Sequence, residues 1–275
     1  GGILWFIGAS CILSGEPVKP VTSLAALAMC AVSAVQAQDQ IITDRPDFVE
    51  SSNVVGRGRL QVETSVLLER ARSGPLRART LATPTLLRYG LGESVELRVE
   101  TDGRVHQRLR VGGERGSGSG YADTALGLKW HVADASASMP SVGVLLHADL
   151  DSGSRAFRGQ GGRPSLRVVG EWELPRDYSL GVMPGIAIGR DEGGRHRYGI
   201  FGVVLGKSFD ERLRGFVEVA MPQIARSAHG GTQAVLDLGG AYLLSSDVQL
   251  DAMLSRGLNG RTPDWAFTIG ISFRL

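Results

Sequence analysis

The chain has 275 residues, 43% of them hydrophobic, and a formal net charge of only +2. That balance leaves no electrostatic footprint for nucleic acid, and past residue 40 no stretch approaches the ~20 apolar residues of a membrane helix. Any membrane span must therefore be built from strands, whose lipid face takes every second residue and dilutes the average.

Residues 1–37 read as export information. Lys19, the apolar run from Val21 to Val35, and the small-residue site Val35-Gln36-Ala37 fit a cleaved signal peptide. Leu27-Ala28-Met29-Cys30 fits a lipoprotein box poorly, because methionine precedes the cysteine. Cys11 and Cys30 are the only cysteines, so residues 38–275 hold no thiol nucleophile, disulfide or CxxC metal site. Residues 38–57 are polar and kinked by Pro46, with no strand partner. They form either a periplasmic tail or a plug whose Asp44, Arg45 and Asp47 pair with charges inside a barrel.

Residues 58–275 divide into twelve alternating segments. They centre on Leu60–Glu69, Thr80–Tyr89, Ser94–Thr101, Asp123–Val132, Ser141–Leu150 and Ser165–Leu174. The second six are Ser179–Gly189, Tyr198–Ser208, Arg212–Met221, Gln233–Leu244, Val248–Leu254 and Asp264–Leu275. Each is near the ~9–11 residues of a tilted membrane strand. Tight turns at Gly90–Glu93, Pro175–Asp177, Asp210–Glu211 and Ser245–Asp247 alternate with longer connections. Those are Ala71–Arg79, Gly103–Gly120, Asp151–Pro164, Arg190–Arg197, Gln223–Thr232 and Ser255–Pro263. Outer-membrane barrels alternate in this way, with short periplasmic turns and long external loops. Gly112–Gly120 reads as a flexible glycine-serine loop. The external connections collect Arg104, Arg108, Arg110, Arg115, Arg155, Arg158, Arg163, Arg195 and Arg197. Such a rim either meets lipopolysaccharide phosphates or is simply solvated.

In the last segment Trp265, Phe267, Ile269, Ile271, Phe273 and Leu275 share one parity; Ala266, Thr268, Gly270, Ser272 and Arg274 take the other. A greasy face opposite a small one suits a strand that closes a barrel against the first. The pattern Thr268-x-Gly270-x-x-Phe273-x-Leu275 resembles the terminal signature that outer-membrane barrels present to the barrel-assembly machinery. That signature usually ends on an aromatic residue, and Leu275 departs from it.

A more specific resemblance lies in Thr43-Asp44-Arg45-Pro46-Asp47-Phe48, then Glu50-Ser51, then Gly58-x-Leu60-Gln61-x-Glu63, with Asp123-x-x-x-Gly127-Leu128-Lys129 further on. Together these resemble the opening and middle motifs of an outer-membrane transporter family named for the meta-pathway of phenol degradation. Leu150-Asp151-Ser152-Gly153 stands where that family often has Pro-Thr-Gly. The resemblance spans residues 42–275. It implies a bacterial outer-membrane barrel that passes small molecules, aromatic or otherwise hydrophobic.

Parity selects the polar groups facing the lumen: Glu96, Arg98 and Glu100; Asp123, Lys129 and His131; His147 and Asp149; Arg167 and Glu171; Arg214 and Glu218; and Asp237. The segment Tyr198–Ser208 is apolar on both faces and cannot be oriented. Mixed inward charges either neutralise one another across a narrow lumen or line a wet path for solute. His147 and Asp149 could belong to a hydrolytic triad, but inward neighbours on one strand lie ~7 Å apart by strand rise, too far for that geometry.

Motif matches elsewhere fail. Gly202–Ser208 imitates a phosphate loop, but Phe201 stands where its first glycine belongs. Tyr121 spoils the dinucleotide fingerprint at Gly116–Gly120, and the five histidines are scattered singly. The expectation is thus an all-β transmembrane barrel of about twelve strands carrying small solutes passively, with no cofactor, no metal and no enzymatic activity. The alternatives are an outer-membrane lipid-modifying hydrolase and a soluble secreted β-sandwich.

Overall fold

A computed structural model describes residues 40–136, 138–191 and 193–275; the expected signal peptide lies outside them. Among the described residues the chain forms fifteen antiparallel strand segments. The first eight are β1 (Leu60–Ser73), β2 (Leu76–Ala82), β3 (Thr85–Gly90), β4 (Val95–Thr101), β5 (Arg104–Val111), β6 (Glu114–Tyr121), β7 (Thr124–Ala133) and β8 (Ser141–Asp149). They are followed by β9 (Arg163–Leu174), β10 (Tyr178–Asp191), β11 (Gly194–Ser208), β12 (Leu213–Ile224), β13 (Gln233–Ser245), β14 (Val248–Gly257) and β15 (Trp265–Arg274).

Three pairs of segments are halves of single barrel strands. β2 and β3 both pair with β1 and part at Thr83-Pro84, where proline has no N–H to give a ladder. β4 and β5 part at Asp102-Gly103, and β6 and β7 at Ala122-Asp123. Counted this way, twelve strands run in chain order. β15 then returns to β1 in register from Gln61↔Arg274 to Arg70↔Trp265, and the barrel is closed.

Its faces are reversed relative to a water-soluble protein. Leu87, Leu128, Leu146, Ile186, Leu238 and Ile269 are exposed on the outside, while Glu63, Arg88, Glu96, Lys129, Glu218 and Asp237 are buried within. Tyr89, Trp130, Tyr178, Phe209 and Tyr242 are exposed near the short turns, an aromatic girdle at a membrane interface. This closed barrel replaces the alternative of a soluble sandwich, whose apolar faces would meet each other.

The external end differs from the sequence expectation. Ala71–Arg79, Gly103–Gly120 and Arg190–Arg197 are not open loops. β1–β2, β5–β6 and β10–β11 continue as paired hairpins, the first two closed by two-residue turns. Gly112 and Gly113 take φ of 60° and 121°, a conformation that suits glycine, and so they turn the expected flexible tract into β5–β6. Above the bilayer both faces of a hairpin meet water, so its polar sequence loses the apolar alternation that marks a strand.

β11 is oriented by what lies inside. Ile200 and Val204 point inward with Gly202 and Gly206, and Val204 joins Val49, Leu145, Val169, Met183 and Phe216 in a buried apolar cluster. The wall from β8 to β12 therefore carries an apolar patch on its inner face, beside the inward Arg167, Glu171, Arg214 and Glu218, as well as an apolar outer face.

Candidate functional site

Residues 40–57 run through the barrel interior and bond to both walls. Asp44 is the centre of the charged side. Its carboxylate receives Lys129 Nζ at 2.7 and 2.8 Å, Arg98 Nη1, and the Ser51 N–H at 2.9 Å, which closes the segment into a loop. Arg88 Nη1 lies 3.5 Å away. Burial pushes this carboxyl up, but Arg88, Lys129 and Arg98 outweigh it and hold the group well below its ordinary value.

The partners of Asp44 are themselves held. Arg88 donates from Nε to Glu96 at 2.8 Å, from Nη1 to Glu63 and the Ile42 carbonyl at 3.0 Å, and from Nη2 to the Asn53 carbonyl at 2.9 Å. Glu63 accepts the backbone N–H groups of Asp44 and Arg45 at 3.0 and 3.1 Å. Glu50 bridges Arg98 at 2.7 Å and Arg167 at 2.5 Å. The wall residues of this network include the cations Arg88, Arg98, Lys129 and, from β9, Arg167, and the carboxylates Glu63 and Glu96. Asp44 and Glu50 of the inner segment bring the balance to neutrality, as buried ions require.

The opposite side uses different contacts. Glu218 accepts the backbone N–H groups of Phe48 and Val49 at 2.8 and 2.7 Å. Arg214 grips Asp47 through two bonds at 2.9 and 3.0 Å, and Arg45 reaches Asp251 at 3.0 Å. Glu171 takes the Ser52 N–H at 2.6 Å, and Ser52 Oγ lies 2.7 Å from Ser141 Oγ. Here Phe48 and Val49 pack on the apolar cluster. A Cβ on Gly202 would sit 2.7 Å from Val49 Cγ2 and 3.0 Å from Phe48 Cδ1, so a bare backbone is needed for the segment to approach the wall.

The structure thus sorts the predicted residues. Glu96, Arg98, Lys129, Arg167, Glu171, Arg214 and Glu218 touch the inner segment, as does His131, 3.1 Å from the Ser52 carbonyl. Asp237 faces Glu218 in the β12–β13 register. Glu100, Asp123, His147 and Asp149 gather instead around a cavity of 730 Å³ at the external end. Its wall includes Phe157, Tyr198 and Arg163, and Phe48 stands at its floor. A second cavity of 290 Å³ reaches from Val49, Thr43 and Asp47 to the periplasmic turn at Asp210. Sequence reasoning missed Glu63, Arg88, Glu50 and Asp251. The signal was present in Leu87-Arg88-Tyr89 and Leu250-Asp251-Ala252, where one charge sits between apolar neighbours.

Two expectations about histidines need correction. The side chains of His147 and Asp149 lean together, bringing Nε2 within 3.4 Å of Oδ1 rather than a full strand repeat apart. The other ring nitrogen faces Glu100 at 3.6 Å. Ser165 lies opposite His147 in the β8–β9 register, but among the described residues its buried hydroxyl bonds to nothing. Nor are all histidines isolated. The rings of His196 and His229 stack at 4.1 Å and both turn Nδ1 toward Asp191, at 3.3 and 2.7 Å. This trio, at the external rim, has donors close enough together to hold a metal ion.

The same motifs place the chain among known proteins. The model of the family described as "Putative MetA-pathway of phenol degradation" matches residues 43–275. The chain belongs to this family. No curated protein matches it in sequence. Among solved structures, this family member is similar to an outer membrane channel from Pseudomonas putida F1. The identity is 12%, the match covers 84% of this chain and 99% of that one, and the TM-score is 0.60. Looser overlaps occur with the translocator domain of the autotransporter NalP from Neisseria meningitidis (11% identity, 80% and 90% coverage, TM-score 0.49) and with the NanC porin (12%, 78% and 100%, 0.48). The feature shared with the Pseudomonas channel is the closed barrel fold.

Proposed function

We propose that this family member passes small, largely apolar or aromatic molecules passively across the outer membrane, and that residues 40–57 are its plug. The observation that carries the reading is the division of one lumen into an external and a periplasmic cavity by a single segment. Phe48 faces one cavity and Val49 the other. Aromatic groups at Phe48, Phe157 and Tyr198 give the external cavity surfaces on which a flat ring packs, while Arg163 and Arg167 suit a polar substituent. The family's name and the channel from Pseudomonas putida support the same reading. Flux requires no cofactor: the solute moves down its gradient when the plug shifts along the apolar wall.

A hydrolase is less well supported. Both ring nitrogens of His147 face carboxylates, and the Ser165 hydroxyl donates to neither. The base–nucleophile contact of such enzymes is therefore not formed.

The test is conductance and solute flux through residues 38–275 refolded into bilayers. Deleting residues 38–57 is expected to raise conductance; unchanged steps from a folded barrel would make the segment a tail. A second variant keeps the test sound should the deletion not fold. Ser52→Cys with Ser141→Cys places a disulfide where the hydroxyls now meet, in a region otherwise free of cysteine. Oxidation should close the flux and reduction restore it.

A further inference from the structure

The outer face of the barrel changes character in rows where β14, β15, β1, β2 and β5 lie side by side. Cross-strand registers align Leu254, Phe267, Leu68 and Leu81 in one exposed apolar row. One step outward, the registers align Arg256, Trp265, Arg70, Arg79 and Arg108. The next step aligns Arg72, Arg77, Arg110 and Arg115 across β1, β2, β5 and β6. Neighbouring strands are ~4.8 Å apart, so the guanidinium groups repeat at about that pitch.

Directly opposed like charges destabilise a sheet, and here the protein does little to relieve them. Asp264 meets Arg72 Nε at 2.9 Å, and Arg256 lies over the Trp265 ring at 4.6 Å. Arg108 donates to His106 at 3.2 Å. Among the described residues Arg70, Arg77, Arg79, Arg110 and Arg115 have no acidic partner. A groove of 530 Å³ lies over the apolar row and the first arginine row, and one of 590 Å³ over the two arginine rows. They share Arg79 and Arg108. The surface is amphiphilic, with a greasy floor at membrane depth and phosphate-binding forks directly above it.

We propose that this face is a binding site for a phosphorylated, multiply acylated glycolipid of the outer leaflet. Acyl chains lie along Leu68, Leu81 and Phe267, and phosphates bridge the arginine rows. Each phosphate oxygen pair accepts a guanidinium fork and removes the repulsion between arginines on adjacent strands. The site is external to the lumen and independent of the transport reading.

The experiment uses the folded chain in detergent, with bound lipid counted by native mass spectrometry as bisphosphorylated lipid A is titrated in. The variant is Arg79→Gln/Arg108→Gln/Arg110→Gln. A second variant, Arg77→Gln/Arg115→Gln, lies in the hairpins above the closed strands and spares the barrel if the first fails to fold. Arg155→Gln/Arg158→Gln is the control in a different loop. Each variant removes two or more charge-assisted hydrogen bonds to phosphate. Wild type and control are therefore expected to fill at a lipid concentration roughly tenfold lower than either variant. Dephosphorylated lipid should bind wild type as weakly as the variants bind the intact lipid. Equal retention by wild type and variants, or no preference for the phosphorylated form, would overturn the site. Displacement by inorganic phosphate at the same concentration as lipid would show a free-anion site and overturn the acyl part.

Discussion

The two inner walls of the barrel hold the same segment by opposite means. On the β1–β3–β4–β7 side, buried Arg88, Arg98, Lys129, Glu63 and Glu96, with Arg167 reaching across from β9, form a lattice that is neutral only with Asp44 and Glu50. From β8 to β12 the core of the contact is Phe48 and Val49 on an apolar cluster, framed by Glu218 capping two backbone N–H groups and by the Arg214–Asp47 and Glu171–Ser52 contacts. A lattice of directional, mutually dependent ion pairs has one arrangement, and leaving it strands charges in a dry interior. An apolar contact can slide, and another apolar molecule can replace it. On the proposed reading, the charged wall is the anchor, and the apolar wall is the side along which solute and plug exchange places.

The sharpest way to break this contrast is at the anchor. Asp44→Asn leaves Lys129 and Arg98 facing a neutral amide. It is expected to cost about 3 kcal/mol of the barrel's resistance to denaturant, read from the urea midpoint of the refolded chain. On the other wall, Gly202→Val drives a side chain into Val49 and Phe48 and should cost about 1–3 kcal/mol as an overpacking change. Its main readout is raised solute flux, with the Asp44 amide still protected from hydrogen exchange. Loss of protection at Asp44 would mean that the two walls do not act separately.

Milder still, Glu218→Gln keeps the side chain's shape but leaves one acceptor oxygen for two backbone N–H groups, so one of the two hydrogen bonds is lost, at a local cost to the segment of about 1 kcal/mol. Faster exchange of the Phe48 and Val49 amides, without a change in barrel stability, is the expected result. The smallest effect is with pH. The Asp44 carboxyl is held below its ordinary value of 3.8, so its contribution is complete above that value and is lost only as pH falls through the lower folded-state value. Its carboxyl carbon resonance should stay still from about pH 7 to about pH 4. A titration in that range would mean that Arg88, Lys129 and Arg98 do not neutralise it.

Much of the barrel was legible because lipid imposes a strict period of two on the residues that touch it. The strands other than β11 follow from that alternation, and so does the inward set around Glu96, Arg98 and Glu218. The signal failed wherever the environment was the same on both faces of a strand. β5 and β6 stand in water on both sides and read as a loop, whereas β11 is apolar on both sides and could not be oriented. Pairing of inward charges with Asp44, Arg45 and Asp47 was foreseeable from their density before the barrel. The use of backbone amides by Glu218 was not, because it depends on where the chain passes rather than on what it carries. His196 and His229 meet only because the β10–β11 hairpin and the loop after β12 reach the same rim.

The separation in sequence between the segment and its holders also constrains assembly. Arg45 bonds to Asp251, 206 positions further along, and Leu60 exchanges backbone hydrogen bonds with Leu275. A preformed pipe would have to admit a loop bearing four charges past its own buried ions. The economical order is for the loop to lie on β1, β3, β4 and β7 as those strands pair, and for the later strands to wrap round it. The last ladder then seals both the wall and its contents. Contacts of this range make for slow closure, and on that order the rate at which β15 zips to β1 should fall when Asp44 can no longer hold the growing sheet to its cargo.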